Sequence, residues 1–193
     1  GVTYASGLLD APGAMFTASH NPAAYNGIKL CRAGAVPVAI DSGLARIRDR
    51  AIALLDGSAA AVETTAGAAV ERGSRSELPL LTRFAEHVRS FLDGGVPLGG
   101  MRVVVDAGNG MGGLVWPAVT AGLDLETVPL YFELDGTFPN HPADPLDPAN
   151  LPDLSAPLLP EAPVPGLAFY GAADRLFAVA ASRRPLDPAP PGA

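Results

Sequence analysis

The stretch GAMFTASHNPAAYNGIKL, Gly13 to Leu30, decides how the rest of the chain is read. GAMFTAS is a short apolar run bounded by Pro12-Gly13 and Asn21-Pro22, which predicts a buried strand ending in a turn. At that turn Ser19 and His20 stand side by side. A serine-hydrolase triad needs a histidine that reaches the serine oxygen. Neighbours in an extended chain point to opposite sides, so His20 is a poor general base for Ser19. The nucleophile-elbow pattern G-x-S-x-G is absent, and nothing recruits His87 or His141 instead. A phosphoryl carrier suits the residues better. Ser19 sits at a strand-to-loop turn, and Lys29 follows to move a proton or neutralise charge. Against that use stands a plain structural turn serine, which the residues alone favour.

The bulk properties narrow the partners. The chain has 193 residues, 48% of them apolar, enough for one full domain or parts of two. A net charge of −7 and a pI near 4.8 argue against nucleic acid or an anionic membrane as partner. A phosphate-bearing ligand would need a local positive site or a metal. The single cysteine, Cys31, forms no disulfide within the chain and fits a reducing compartment. No apolar run reaches the ~18–20 residues of a membrane span, and the N-terminal residues do not read as a signal peptide. A soluble, cytoplasmic protein is the expectation.

Working outward, NGIKLCRAGAVPVAI predicts two short strands joined at Ala33-Gly34. DSGLARIRDRAIALL predicts a helix capped by Asp41 or Ser42, with Leu44, Ile47, Ala51 and Leu54 at helical spacing. SAAAVETTAGAAVERGS reads as a loop or weak strand. SELPLLTRFAEHVRSFL predicts an amphipathic helix with Leu81, Phe84 and Val88 on its apolar face and His87 beside it. DGGVPLGG then breaks the chain, and a boundary is expected near Gly94 to Gly100. MRVVVDAGNGMGG, LVWPAVTAGL and LETVPLYFEL follow as strand and glycine turn, helix interrupted by Pro117, and strand, which is an α/β unit. Prolines, 20 in all, crowd the last fifty residues, so that part is expected to be mostly loop, ending in a disordered RRPLDPAPPGA.

TASHNPAAYNGIKL resembles the active-site loop of the alpha-D-phosphohexomutases, the phosphomannomutase and phosphoglucomutase family, with Thr17, Ser19, His20, Asn21, Pro22, Tyr25, Asn26, Gly27 and Lys29 in register. The resemblance implies that Ser19 is phosphorylated and passes its phosphoryl group to a hexose phosphate. It also implies that Lys29 is the general acid/base and that His20 assists at the phosphate. VVVDAGNGMGG, Val103 to Gly113, resembles the opening of the family's second domain. It reads as a structural glycine turn, since its spacing is neither G-x-G-x-x-G nor a P-loop. LDGTFPNHPADPLDPANL, Leu134 to Leu151, resembles a loop of the same domain. Asp135, His141 and Asp144 suggest a metal site there, but the prolines and turn residues favour a structural loop.

The segment GLAFYGAADRLFAV, Gly166 to Val179, resembles a family strand followed by D-G-D-x-D-R, whose three aspartates hold Mg²⁺ beside the phosphoserine. Here Tyr170 and Ala172 replace two of those aspartates, while Asp174 and Arg175 remain. By resemblance Ser19 and Asp174 are the metal ligands left, and Arg175 joins Ser19, His20 and Lys29 in the site. Mg²⁺ binding is expected to be impaired. The implied fold is α/β, with mixed sheets flanked by helices: the latter part of phosphohexomutase domain 1 (1–95), a partial domain 2 (96–180) and a tail (181–193). The implied reaction is reversible 1-/6-phosphate transfer on a hexose through a bisphosphosugar. The competing readings are an inactive truncated remnant or binding module of that family and, from another class, a serine hydrolase.

Overall fold

The computed structural model describes residues 1–18, 20–22, 24–58, 73–92, 94, 98–158 and 164–180. Ser19 and the 181–193 tail therefore lie outside the described residues, as does most of the SAAAVETTAGAAVERGS stretch. The chain forms two compact units. One comprises Gly1–Met15 with the described part of Lys29–Leu80; the other comprises Phe16–Ile28 with the described residues from Leu81 onward.

The first unit holds α1 (Val2–Leu9), a three-stranded sheet in the order β1 (Gly13–Phe16), β2 (Ile28–Arg32), β3 (Val36–Pro37), and α2 (Ala45–Leu55). The sequence pattern gives no signal for α1, and tertiary anchoring explains it. Buried Ser6 sets its hydroxyl 2.7 Å from the Ala11 carbonyl and 2.9 Å from that of Arg32, and accepts the Ala35 N–H at 3.3 Å. At Gly13 a Cβ would stand 2.6 Å from Val2 Cγ1 and 2.9 Å from Cys31 Sγ, so α1 lies directly on the strands there. The expected joint at Ala33-Gly34 is a 3-10 turn over Ala33–Ala35, with Gly34 at φ 70°.

The start of α2 differs from the expectation. Neither Asp41 nor Ser42 caps it. The chain arrives through a π-type turn, Ile40–Leu44, with Gly43 at φ 143°, and Ser42 Oγ accepts the Ala39 N–H at 2.8 Å. The hydroxyl thus closes the turn before the helix rather than the helix itself. The apolar spacing does mark one face, but Ile47, Ala51 and Leu54 are exposed and only Leu44 is half-buried.

The second unit is a layered α/β structure. Its sheet has the order β5-β4-β6-β7, with β4 (Met101–Asp106) parallel to β5 (Leu125–Leu130) and to β6 (Gly166–Phe169), and β7 (Leu176–Val179) antiparallel to β6. The run Val103-Val104-Val105-Asp106 is buried throughout, which a strand covered on both faces requires. Alternation sends Val104 into a core with Leu154, Leu158, Ala168 and Val179, beside α5 (Pro152–Ser155). Val103 faces the other way, toward Val88 of α3 (Leu81–Arg89) and Trp116 and Val119 of α4 (Gly112–Thr120). Arg89 donates to the Ala118 and Val119 carbonyls at 2.7 and 3.1 Å, a cation on the C-terminal end of α4, where orphan acceptors and the helix dipole favour it. β5 stops earlier than the run LETVPLYFEL suggests, because Tyr131 turns into the left-handed region at φ 56°.

Candidate functional site

Strands β4 and β6 run parallel, so their C-terminal ends open on the same edge of the sheet. That edge is where open α/β sheets bind ligands. The loop after β4 is a joint. Gly108 N–H donates to Asp106 Oδ1 at 2.8 Å, Asn109 N–H to the Tyr131 carbonyl at 2.8 Å, Gly110 N–H to Ala107 at 2.8 Å and Met111 N–H to Gly171 at 2.9 Å. These amides are satisfied inside the fold, so the glycine turn does not present them to a phosphate. Asn109, at φ 57°, also donates to the Glu133 carbonyl and accepts from Asn140 Nδ2.

The 134–151 loop is structural in the same sense. Asp135 Oδ1 accepts Thr137 N–H and Oγ1–H, and Asp144 Oδ1 faces Leu146 N–H, each within its own turn. His141 goes to neither carboxylate. Its Nε2 lies 2.9 Å from Oδ2 of Asp106, which is 1% exposed, and its Nδ1 lies 2.8 Å from the Pro142 carbonyl. Both ring nitrogens face acceptors, so the doubly protonated ring satisfies both. The hydrogen bond to Asp106 is the largest cause holding the His141 pKa above its ordinary value, against an opposing contribution from burial. Nearby, Tyr131 donates its hydroxyl to Asp153 at 2.5 Å, which pushes its pKa up to about 12.

The loop after β6, Tyr170 to Arg175, is closed by Ala173 N–H to the Tyr170 carbonyl at 2.7 Å, with Ala173 at φ 51°. Tyr170 is buried at 5% exposure, and the Arg175 guanidinium stacks 3.9 Å above its ring centroid. Arg175 Nη2 donates to His20 Nδ1 at 3.1 Å, and the His20 ring meets Tyr170 edge-on at 6.2 Å. Because guanidinium is always a donor, this bond needs the lone pair on Nδ1 and places the ring proton on Nε2. Asp174 Oδ1 lies 3.8 Å from Arg175 Nε, with both side chains about two-fifths exposed.

The segment that carries His20 is pinned at its base by Thr17 N–H to the Gly27 carbonyl at 2.9 Å. A Cβ on Gly27 would come within 2.8 Å of the Thr17 carbonyl oxygen, so the closure needs glycine. Thr17, Ala18, Asn21, Pro22 and Tyr25 line a cavity of about 170 Å³ together with Gly136, Phe138 and Gly171.

Of the residues singled out in the sequence, His20, Asp174 and Arg175 meet in the second unit. Lys29 lies on β2 in the first unit, exposed, and Ser19 is outside the described residues. The cation implied by resemblance does not fit what is present. Hard divalent cations want several oxygen ligands, whereas Tyr170 offers a buried ring under a guanidinium and Ala172 a methyl group. Among the described residues no three His, Cys, Asp or Glu side chains are grouped to hold a metal. The Tyr170 platform was not anticipated. Its one sequence signal is an aromatic residue in a position that the resemblance reserves for a carboxylate.

Comparison with known proteins agrees with this α/β/α build. The family model described as phosphoglucomutase/phosphomannomutase, alpha/beta/alpha domain II, matches residues 82–183, and that for domain I matches residues 2–53. The chain belongs to the phosphoglucomutase/phosphomannomutase family. It is 36% identical over 177 residues to a Pseudomonas aeruginosa phosphomannomutase/phosphoglucomutase, covering 91% of this chain and 35% of that protein. A Xanthomonas campestris pv. campestris protein named for phosphohexose mutases is 40% identical over 171 residues, covering 88% and 36%. A solved phosphoglucomutase/phosphomannomutase family structure from Burkholderia thailandensis superposes with a TM-score of 0.69 at 30% identity, over 90% of this chain and 34% of that one. The chain thus spans about a third of the length of these relatives. No helix among the described residues is long and apolar enough to cross a membrane.

Proposed function

We propose that this chain carries the phosphoserine side of a hexose-phosphate mutase site in a cytoplasmic setting. Ser19 Oγ is the phosphoryl carrier, His20 and Arg175 hold the phosphoryl oxygens, and Lys29 is the general acid/base. In the transfer, the P–O bond to Ser19 breaks as a bond forms to a hexose hydroxyl at position 1 or 6. The hydroxyl proton passes to the base, and a proton returns to Ser19 Oγ. The observation that supports this reading is the 3.1 Å contact between His20 and Arg175, which are 155 positions apart in sequence. Such a pair, carried by the residue that follows Ser19 in the sequence, suits a phosphate better than a hydrolase triad, because Arg175 already engages His20 at Nδ1, the atom that would face a triad's carboxylate.

A second reading, a binding module of the same family without turnover, is favoured by Tyr170 and Ala172. Phosphoryl transfer relies on charge compensation and positioning at the transferring group, and two acidic ligands are replaced here. The chain by itself is expected to bind hexose phosphates without mutase turnover.

Incubation with glucose 1,6-bisphosphate followed by mass spectrometry tests the assignment. Label is expected on Ser19 alone, and label elsewhere that survives Ser19→Ala sinks it. A coupled assay for glucose 1-phosphate or mannose 1-phosphate conversion separates the two readings. Turnover well above the Ser19→Ala control removes the binding-module reading.

A further inference from the structure

What family membership leaves unexplained at the end of β6 is the loss of two carboxylates while the arginine is kept. In the resembling loop three carboxylates gather a cation. In this chain the same positions present a buried phenol ring, a methyl group and one carboxylate, and the arginine that the resembling segment also has, Arg175, lies over the ring. We infer that the phosphate site of this chain is metal-independent: Arg175, seated on Tyr170 and bonded to His20, supplies the counter-charge that a divalent cation would otherwise bring, and the ligand is a phosphate monoester. This inference rests on the proposed hexose-phosphate reading for the identity of the ligand, but not for the metal-free character of the site.

Three observations carry it. The guanidinium lies 3.9 Å above a ring that is 5% exposed, so its platform is fixed by the core rather than by solvent. His20 Nδ1 holds one corner of the guanidinium at 3.1 Å, which sets its rotation about the ring. The Arg175 side chain is 45% exposed, so an anion can approach it. A guanidinium is a planar fork of donors suited to phosphate oxygens, and Asp174, 3.8 Å from Arg175 Nε, is the one carboxylate left at the three positions, too few oxygens to hold a divalent cation as well. Tyr170 is accordingly a positioning residue: it touches the guanidinium, not the ligand.

The test is titration calorimetry of the full chain with glucose 1-phosphate and with inorganic phosphate, in EDTA and then in excess Mg²⁺. Affinity for glucose 1-phosphate is expected to agree within about twofold in the two buffers, and Arg175→Ala should weaken it by about tenfold or more, the usual scale for losing a hydrogen bond to a charged group. Tyr170→Phe keeps the ring and should bind like the parent. Tyr170→Leu removes the stack while keeping the site apolar, and should weaken binding by about two- to fivefold. The double variant Tyr170→Asp, Ala172→Asp should acquire Mg²⁺-dependent binding if it folds, and the Phe and Leu variants decide the matter if it does not. Binding seen only with Mg²⁺ overturns the inference and leaves the hexose-phosphate reading standing. Absence of phosphate-ester binding in both buffers overturns both. Binding of inorganic phosphate without glucose 1-phosphate in EDTA supports the metal-free site and removes the hexose from the reading.

Discussion

The loops after β4 and β6 leave neighbouring parallel strands at the same edge, and both carry glycines, yet they do opposite things. The 106–113 turn directs its amides inward, to Asp106, Tyr131, Ala107 and Gly171, and its side chain Asn109 bonds both ways with the 133–140 segment. The 170–175 loop directs a guanidinium outward over a buried ring. A glycine-rich turn at a strand end is therefore weak evidence for phosphate binding until the partners of its N–H groups are known. The difference is one of hydrogen-bond bookkeeping, not of composition.

The largest expected effect comes from breaking the joint. Asp106→Ala removes the partner of both His141 Nε2 and the Gly108 amide from a position with 1% exposure. A loss of about 3 kcal/mol is expected for the second unit, in the range for a buried pair that loses one member. Urea unfolding followed by the single tryptophan, Trp116, on α4 of that unit, reads it. A loss below about 1 kcal/mol would mean that the joint is ornamental and that the contrast between the loops is false.

Gly110→Ala presses the two loops apart instead. Its Cβ would stand 2.7 Å from the Gly171 carbonyl oxygen and 2.8 Å from Gly171 Cα, and backbone has little room to give. About 1–3 kcal/mol of destabilisation is expected, as for overpacking, together with weaker phosphate-ester binding because Gly171 adjoins Tyr170. Gly136→Ala is the matched control, since nothing lies within 4 Å of its Cβ, and it should change stability by no more than about 0.5 kcal/mol. Equal effects at the two glycines would remove the claim that the loops touch.

Much of the second unit was legible because it is encoded locally. Val103 to Val105 is an unbroken β-branched run, and only a strand covered on both faces buries such a run whole. The serine loop was legible as a motif, since nine of its residues fall in register within one short stretch. What the sequence hid depends on partners far away in the chain. His141 is 35 positions from Asp106, and no spacing rule distinguishes that carboxylate from Asp135 or Asp144, which are nearer. α1 is tied to the strands by Ser6 and by the close approach at Gly13, contacts that no local pattern announces. On α2 the helical spacing is real, but spacing alone does not say whether Ile47 and Leu54 are covered, and they are exposed. Tyr170 could be read only as a missing carboxylate; its role as a platform needed the position of Arg175.

The smallest effect sharpens the comparison through pH. His141 reaches Asp106 and the Pro142 carbonyl with its two nitrogens, faces the Tyr131 ring edge-on at 5.3 Å, and also feels the charge of Asp153. Its pKa in the folded state is raised above the ordinary 6.5, chiefly by the bond to Asp106. The folded protein therefore binds this proton more tightly than the unfolded chain does. The resulting stability is fully present below the unfolded value near 6.5 and is lost as pH rises through the higher folded value. For one proton the slope is no steeper than about 1.4 kcal/mol per pH unit. Urea midpoints of the parent should fall as pH rises above the ordinary value of 6.5, whereas His141→Gln, which cannot take up the proton, should be flatter over the same range. Because the site loop has its own anchor in Tyr170 and Arg175, Asp106 and His141 should set the stability of the second unit with little effect on which anion it binds. Parallel pH profiles for parent and variant would show that His141 binds its proton no more tightly in the folded protein than in the unfolded chain, and would remove the charged hydrogen bond from the joint.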